Sequence, residues 1–259
     1  MSESFWSVAL AACAAVGLGV SVPAQAASGP DAALHVGIAQ LPSPPVPGAK
    51  VHTPVRLETV VIPAGTDGMQ PREVSGDQAA DQIQRGTLDA WVGALPAQSP
   101  VPAGVERASL GWSASPMAIM RSDTPVAAWG ELKDRTVCLA ADGRYGGELA
   151  ARFGVIEQVY PSAADALLAL RTGRCDATVQ DEGFLRELLK FPEWHKFSAT
   201  LEPYRHQDLV RLVRSGLPPA QRLALNRMTG IATLRAAAKQ QARDIAFEVY
   251  LDQTVPDCH

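Results

Sequence analysis

The residues best equipped for chemistry lie in two short polar stretches, Asp142-Gly143-Arg144-Tyr145-Gly146 and Gln180-Asp181-Glu182. Each follows a short apolar run, Thr136 to Ala140 in one case and Asp176 to Val179 in the other, and each opens a helical pattern. Open parallel sheets bind their ligands beyond the carboxyl ends of the strands, which is where both stretches fall. At the first, the backbone N–H groups of Gly143, Arg144 and Tyr145 open a helix and offer a seat for a carboxylate or another anion. At the second, Asp181 offers a counter-charge to an ammonium group, or caps the helix that begins at Glu182; the two roles are compatible. Trp112 and Ser113 precede an extended apolar run and form a candidate wall of the same cleft. An indole there presents an apolar or cation-binding face, core packing being the alternative. Gln40, directly after the strand pattern Leu34 to Ala39, is the further candidate contact from the amino-terminal half.

Signatures of catalysis are missing. The chain has no HExxH, GxSxG, Walker loop or GxGxxG. His35, His52, His195, His206 and His259 show no metal spacing, and Asp181 and Glu182 are neighbours whose side chains diverge on a helix. No enzyme, metal or cofactor is expected. Of the four cysteines, Cys138 begins one strand pattern and Cys175 immediately precedes another. In the usual 2-1-3 strand order these strands are neighbours, roughly 4.8 Å apart and within reach of a disulfide. A Cys138 to Cys175 bridge is expected at the end of the sheet opposite the ligand, with two buried thiols as the alternative. Cys258 reads as a tail residue.

The elements that position these residues repeat. Gln82 to Val92 runs parallel to Ala169 to Val179, aligned on Gly86 and Gly173, and each copy is a helix, a glycine stop and a strand. Two copies of an α/β unit imply two lobes of similar design. In the second lobe, Gly147 to Phe153, Ala163 to Arg171 and Glu182 to Lys190 read as helices between the strands Thr136 to Ala140, Val155 to Tyr160 and Asp176 to Val179. The first lobe is sparser: Leu34 to Ala39 and Leu57 to Ile62 read as strands, Gln40 to Arg56 is proline-rich, and Pro63 to Gly76 reads as a loop. Pro218 to Tyr250 reads as one or two helices. Met117 to Arg121 and Leu209 to Val213 are extended runs suited to carry the chain between lobes, a double hinge.

Export is expected from Phe5 to Val22, an apolar small-residue run ending in Ala24-Gln25-Ala26, which reads as a cleaved signal over residues 1–26. Leu10-Ala11-Ala12-Cys13 is a rival lipoprotein-type site. The expected division is then residues 27–122 with 209–259 in one lobe and 123–208 in the other. With 23 Lys and Arg against 27 Asp and Glu, and no basic run, the charge argues against nucleic acid or an anionic membrane as partner.

The stretches Glu131 to Val137 and Ala163 to Val179 resemble the entry to the second lobe, and its helix-glycine-strand segment, in the family 3 extracellular solute-binding proteins. Gln180-Asp181-Glu182 is similar to the form found in binding proteins for basic amino acids. The resemblance covers about Leu34 to Arg214 and is closest in the second lobe. It implies an α/β, two-lobed type 2 periplasmic-binding fold with parallel-core sheets and a double-strand hinge. It also implies a monomeric periplasmic receptor for a small polar ligand, amino-acid-like or another small amine or carboxylate, that delivers it to an ABC permease. Asp181 would hold the ligand ammonium and the Gly143 to Tyr145 loop its carboxylate. Two departures stand out: Gln40 to Arg56 replaces the family's helix after the first strand, and Ala97 to Pro102 lacks the arginine that clamps a carboxylate, Arg107 and Arg121 being the nearest. A reduced first lobe is therefore expected. The alternatives are a periplasmic accessory or sensor module with a degenerate cleft, and a small-molecule lyase on the same fold.

Overall fold

The computed structural model describes residues 33–41, 56–62 and 69–252. The expected signal segment, Cys13, Cys258 and most of the proline-rich connection lie outside the described residues. The chain forms two lobes, each built on a five-stranded mixed sheet. The first sheet contains β1 (Leu34–Ile38), β2 (Met69–Glu73), β3 (Ala90–Pro96) and β4 (Val105–Ser113). The second contains β5 (Pro116–Met120), β6 (Thr136–Ala140), β7 (Ile156–Tyr160), β8 (Ala177–Asp181) and β9 (Ala199–Leu201), after which β10 (Gln207–Arg214) returns to the first sheet. The orders are β2-β1-β3-β10-β4 and β7-β6-β8-β5-β9. In each, the first three strands are parallel and an antiparallel strand inserts beside the third. The helices are α1 (Leu57–Val61), α2 (Gly76–Gln84), α3 (Glu148–Phe153), α4 (Ala163–Arg171), α5 (Glu182–Leu188), α6 (Pro219–Thr229) and α7 (Ile231–Asp252).

The repeat in the sequence has a structural cause. Gly86 and Gly173 end α2 and α4 in the left-handed region, at φ 74° and 73°, where a side chain is disfavoured. Three residues beyond each glycine stands an aspartate with a single job in both lobes. Asp89 accepts the His35 N–H at 2.9 Å while its own N–H donates to the His35 carbonyl; Asp176 does the same with Thr136. Each aspartate thus fixes the start of the third strand against the start of the first.

Several expectations are corrected. The run read as the strand Leu57 to Ile62 forms the helix Leu57–Val61: Leu57, Glu58, Thr59 and Val61 are buried together, and α1 packs on α7. Packing of a short apolar run overrides its β-branched composition. The second strand is instead Met69–Glu73, inside the stretch read as a loop. It tolerates Pro71 because β2 lies at the edge of its sheet. The first sheet is as wide as the second. Met117 to Met120 belongs to β5 in the second sheet, so the passage out of the first lobe is made by Ala114 and Ser115.

Helix α7 belongs to neither lobe alone. Leu234 and Ala238 join the core of the first lobe with Leu34, Val36 and Leu57. Ala242, Ile245, Ala246 and Val249 join Phe184, Leu185, Trp194 and Phe197 in the second. At 1.5 Å per residue its 22 residues span about 33 Å, enough to bridge both. Cys138 and Cys175 form a disulfide with Cα atoms 5.8 Å apart, buried with Ala166 and Ala169 beneath α4. Trp91 is buried core, its indole N–H bound to the Val74 carbonyl.

Replacing Asp89 by alanine orphans the His35 N–H and removes the partner of Arg214. We expect a loss of about 1–3 kcal/mol in urea unfolding with an unchanged m-value, and a smaller loss for Asp176→Ala, whose site is more exposed.

Candidate functional site

The two connections between lobes lie side by side. Ala114 N–H donates to the Gln207 carbonyl at 2.9 Å, and the Gln207 N–H donates to the Ser115 hydroxyl at 3.0 Å. Asp181, the last residue of β8, pairs in register with Pro116 at the start of β5, so it stands at the crossing itself. It occupies the N-cap position of α5, yet its carboxylate makes no cap bond. Instead the Tyr145 hydroxyl lies 2.6 Å from Asp181 Oδ1 and 2.8 Å from the Ala114 carbonyl. The Glu182 N–H donates to the Ser115 carbonyl at 2.8 Å.

Arg144 completes the cluster. Its Nε donates to both oxygens of Asp181 at 3.2 Å, and its Nη2 donates to both oxygens of Glu58 at 2.7 and 2.8 Å. Glu58 is on α1 in the first lobe and fully buried, while Arg144 and Asp181 are in the second lobe with side chains 10% exposed. The same loop is gripped a second time from the first lobe, because Arg56 donates to the carbonyls of Asp142 at 2.9 Å and Gly143 at 3.4 Å. Burial alone would weaken the hold of Arg144 on its proton; Asp181 and Glu58 reverse this and hold it well above its ordinary value. Burial, reinforced by the nearby positive Arg144, lowers Arg56. Burial, with the adjacent Asp181 charge, pushes the Tyr145 phenol well up.

Of the N–H groups around this loop, three are engaged within the protein. The N–H groups of Gly147 and Ala150, at the start of α3, already donate to the two carboxylate oxygens of Glu157 on β7, at 2.6 and 2.8 Å. Gly143 N–H closes a tight turn onto the Ala140 carbonyl, where an added Cβ would come within 2.8 Å of that oxygen. Of the residues expected to face a ligand, Arg144, Tyr145 and Asp181 are brought together, with Gly143 in the loop that Arg56 holds.

The remaining candidates are engaged elsewhere. The Ser113 hydroxyl lies 2.7 Å from Glu182 Oε2 and 2.8 Å from the Ser115 hydroxyl. Burial would raise Glu182, but the Ser113 hydroxyl and Arg186 bring it below its ordinary value. Trp112 lies on Gly183, whose missing Cβ would sit 2.5 Å from the indole, and packs against the cores of both lobes. With Gly111, Arg186, Lys190, Arg235 and Lys239 it lines an open groove of about 480 Å³ beside the hinge. Gln40 is partly buried two residues past β1, and no hydrogen bond among the described residues joins it to Asp181 or Arg144. Arg107 donates to the carbonyls of Ser99 and Pro96, and Arg121 pairs with Asp123, so neither substitutes for the missing clamp. No group of three metal-ligating side chains and no helix long and apolar enough to cross a membrane is found among the described residues.

The sequence reading did not single out Glu58 and Arg56. The available signal was a carboxylate inside Leu57-Glu58-Thr59-Val60-Val61-Ile62, since a charge in an apolar segment requires a buried partner.

No family model and no curated protein matches the chain. Among solved structures it is similar to the substrate-binding protein of an amino acid ABC transporter, at 17% identity over 84% of this chain and 97% of that one, with a TM-score of 0.41. YckB from Bacillus subtilis is 15% identical over 83% and 93%, with a TM-score of 0.48. The periplasmic VFT2 domain of BvgS from Bordetella pertussis is 15% identical over 84% and 93%, with a TM-score of 0.38. Likeness at this level bears on neither ligand nor partner.

Asp142 gives the site a pH signature. Burial raises its carboxyl above 3.8, against the opposing pull of its own backbone N–H and Arg56, and Oδ1 is buried with no hydrogen-bond partner among the described residues. A carboxyl raised in the folded state contributes stability that is present below its unfolded value and is lost as pH rises through the folded value. Asp142→Asn should therefore melt with the wild type near about pH 3 and above it near about pH 7. A variant less stable at neutral pH would show that the charged form is the favoured one.

Proposed function

We propose that this protein is an exported receptor for a small polar solute, bound between the lobes and passed to an ABC permease by hinge closure. The observation that carries the reading is the position of Asp181: a carboxylate at the crossing of the two interlobe connections, in a cluster to which both lobes contribute. The proposed moving units are the two sheets with their helices, turning about Ala114 to Ser115 and the segment between β9 and β10. The ligand class in this proposal is an amine or amino-acid-like molecule, for which Asp181 provides the counter-charge.

A second reading, an accessory or sensor module whose cleft is not open to solute, has its own support. Helix α7 is buried in both cores, the N–H groups at the start of α3 are taken by Glu157, and Asp181 is taken by Arg144. The lyase reading is weakened by the same geometry. Two carboxylates do converge, but both are bound to one guanidinium, which fills the space between them.

A thermal-shift screen of the mature protein against amino acids, polyamines, organic acids and sugars separates these readings. A ligand at about 100 times its dissociation constant stabilises the fold by about 2.7 kcal/mol, a plainly visible shift. The receptor reading expects one amine or amino acid to do this and Asp181→Asn to abolish it. Silence across the panel supports the accessory module.

A further inference from the structure

We propose that the interlobe cleft carries its own ligand: the guanidinium of Arg144 fills a cation position between Glu58 and Asp181, and an external guanidinium or amine enters by displacing it. The inference rests on the reading that the interlobe space is the binding site and specifies what governs entry to it.

The geometry is that of a bound cation rather than of an incidental surface pair. One planar group serves two carboxylates, offering Nη2 to both oxygens of Glu58 and Nε to both oxygens of Asp181. The two carboxylates come from different lobes, so the guanidinium closes a contact across the cleft as a ligand would. All three side chains are largely shielded, Glu58 completely. Tyr145 supplies a neutral donor to Asp181 from beside the cation.

Removal of Arg144 leaves two shielded carboxylates facing a gap of guanidinium shape. Buried charge without a partner is strongly unfavourable, so the gap selects a cation. The bonding pattern selects a planar, forked donor over a compact ammonium. The loop that carries Arg144, Asp142-Gly143-Arg144-Tyr145-Gly146-Gly147, is held through its neighbours, by Arg56 at the carbonyls of Asp142 and Gly143 and by the Tyr145 hydroxyl on Asp181, so release in this proposal requires only the Arg144 side chain to swing out. While it stays in place, a side chain tethered at millimolar effective concentration competes with any solute. The apparent affinity of the wild type is the intrinsic affinity multiplied by the fraction of molecules in which Arg144 has swung out.

The test uses the full mature chain and two probes, methylguanidinium and its uncharged analogue methylurea, titrated calorimetrically into the wild type and Arg144→Ala. We expect Arg144→Ala to bind methylguanidinium roughly tenfold or more tightly than the wild type does, to regain melting temperature on binding it, and to ignore methylurea. The gain should disappear in Arg144→Ala combined with Asp181→Asn. Equal binding by wild type and variant, to within about threefold, overturns the proposal. Should Arg144→Ala not fold, Glu58→Gln provides the readout: it keeps the Asp181 bond but weakens the contact across the cleft. Small-angle scattering should then give a larger radius of gyration than the wild type, and an unchanged radius overturns the proposal. The two levels fail separately. A wild type that binds nothing in the solute panel while Arg144→Ala takes methylguanidinium refutes the transport receptor and upholds the internal ligand. A wild type that binds a solute through Asp181, with no gain on removing Arg144, does the reverse.

Discussion

A guanidinium taken out of water must be met by acceptors that return what hydration gave it, and Arg144 is met by two carboxylates in different lobes. Such an arrangement tolerates the loss of no member: breaking a buried pair from one side costs about 3–5 kcal/mol, because the charge left behind has neither water nor partner. That requirement fixes the course of three segments at once. Helix α1 must present Glu58 toward the second lobe, the loop after β6 must turn inward, and β8 must end at the hinge so that Asp181 meets both Arg144 and Tyr145. Arg56 holds the carbonyls of the same loop from the opposite lobe, so the contact is made in both directions.

The rest of the molecule is a duplicated scaffold. Within each lobe a helix ends at a left-handed glycine and an aspartate three residues later locks the third strand to the first. The strands β5 and β10 take the same place in the two sheets, each next to a passage between the lobes, and the helix α7 packs into the cores of both. An antiparallel strand inserted beside the third strand of each sheet is what allows the chain to cross twice and leave a hinge. Helix α7 acts against that hinge, since separating the lobes by much would pull either Leu234 and Ala238 or Ile245 and Val249 out of a buried core. Opening is therefore limited by apolar burial on one side and by an ion cluster on the other.

Function follows from this balance between hinge and clasp. The carboxylate suited to an amine is present, but the protein's own Arg144 already bonds it, and Glu157 bonds the N–H groups of Gly147 and Ala150 at the start of α3. A receptor built this way trades affinity for a gate, and an accessory module built this way has a fixed shape. The two differ in the free energy of releasing one side chain, not in fold.

The sequence by itself determined the local units. The helix-glycine-strand repeat, the two strand-end turns, the proximity of Cys138 to Cys175 and the place of Asp181 at the end of a strand all follow from period, glycine placement and the usual strand order. It misread Leu57 to Ile62 and the strand at Met69, because a short apolar run takes its form from what it packs against and an edge strand tolerates the proline that seems to forbid it. Only the tertiary structure decided which charges meet. Residues 58, 144 and 181 share no spacing, and nothing local distinguishes an arginine that will bind a solute from one that will take the place of the solute. Pairing across a cleft is fixed by the sum of burial, loop geometry and lobe orientation, and that sum exists only once the whole chain has folded.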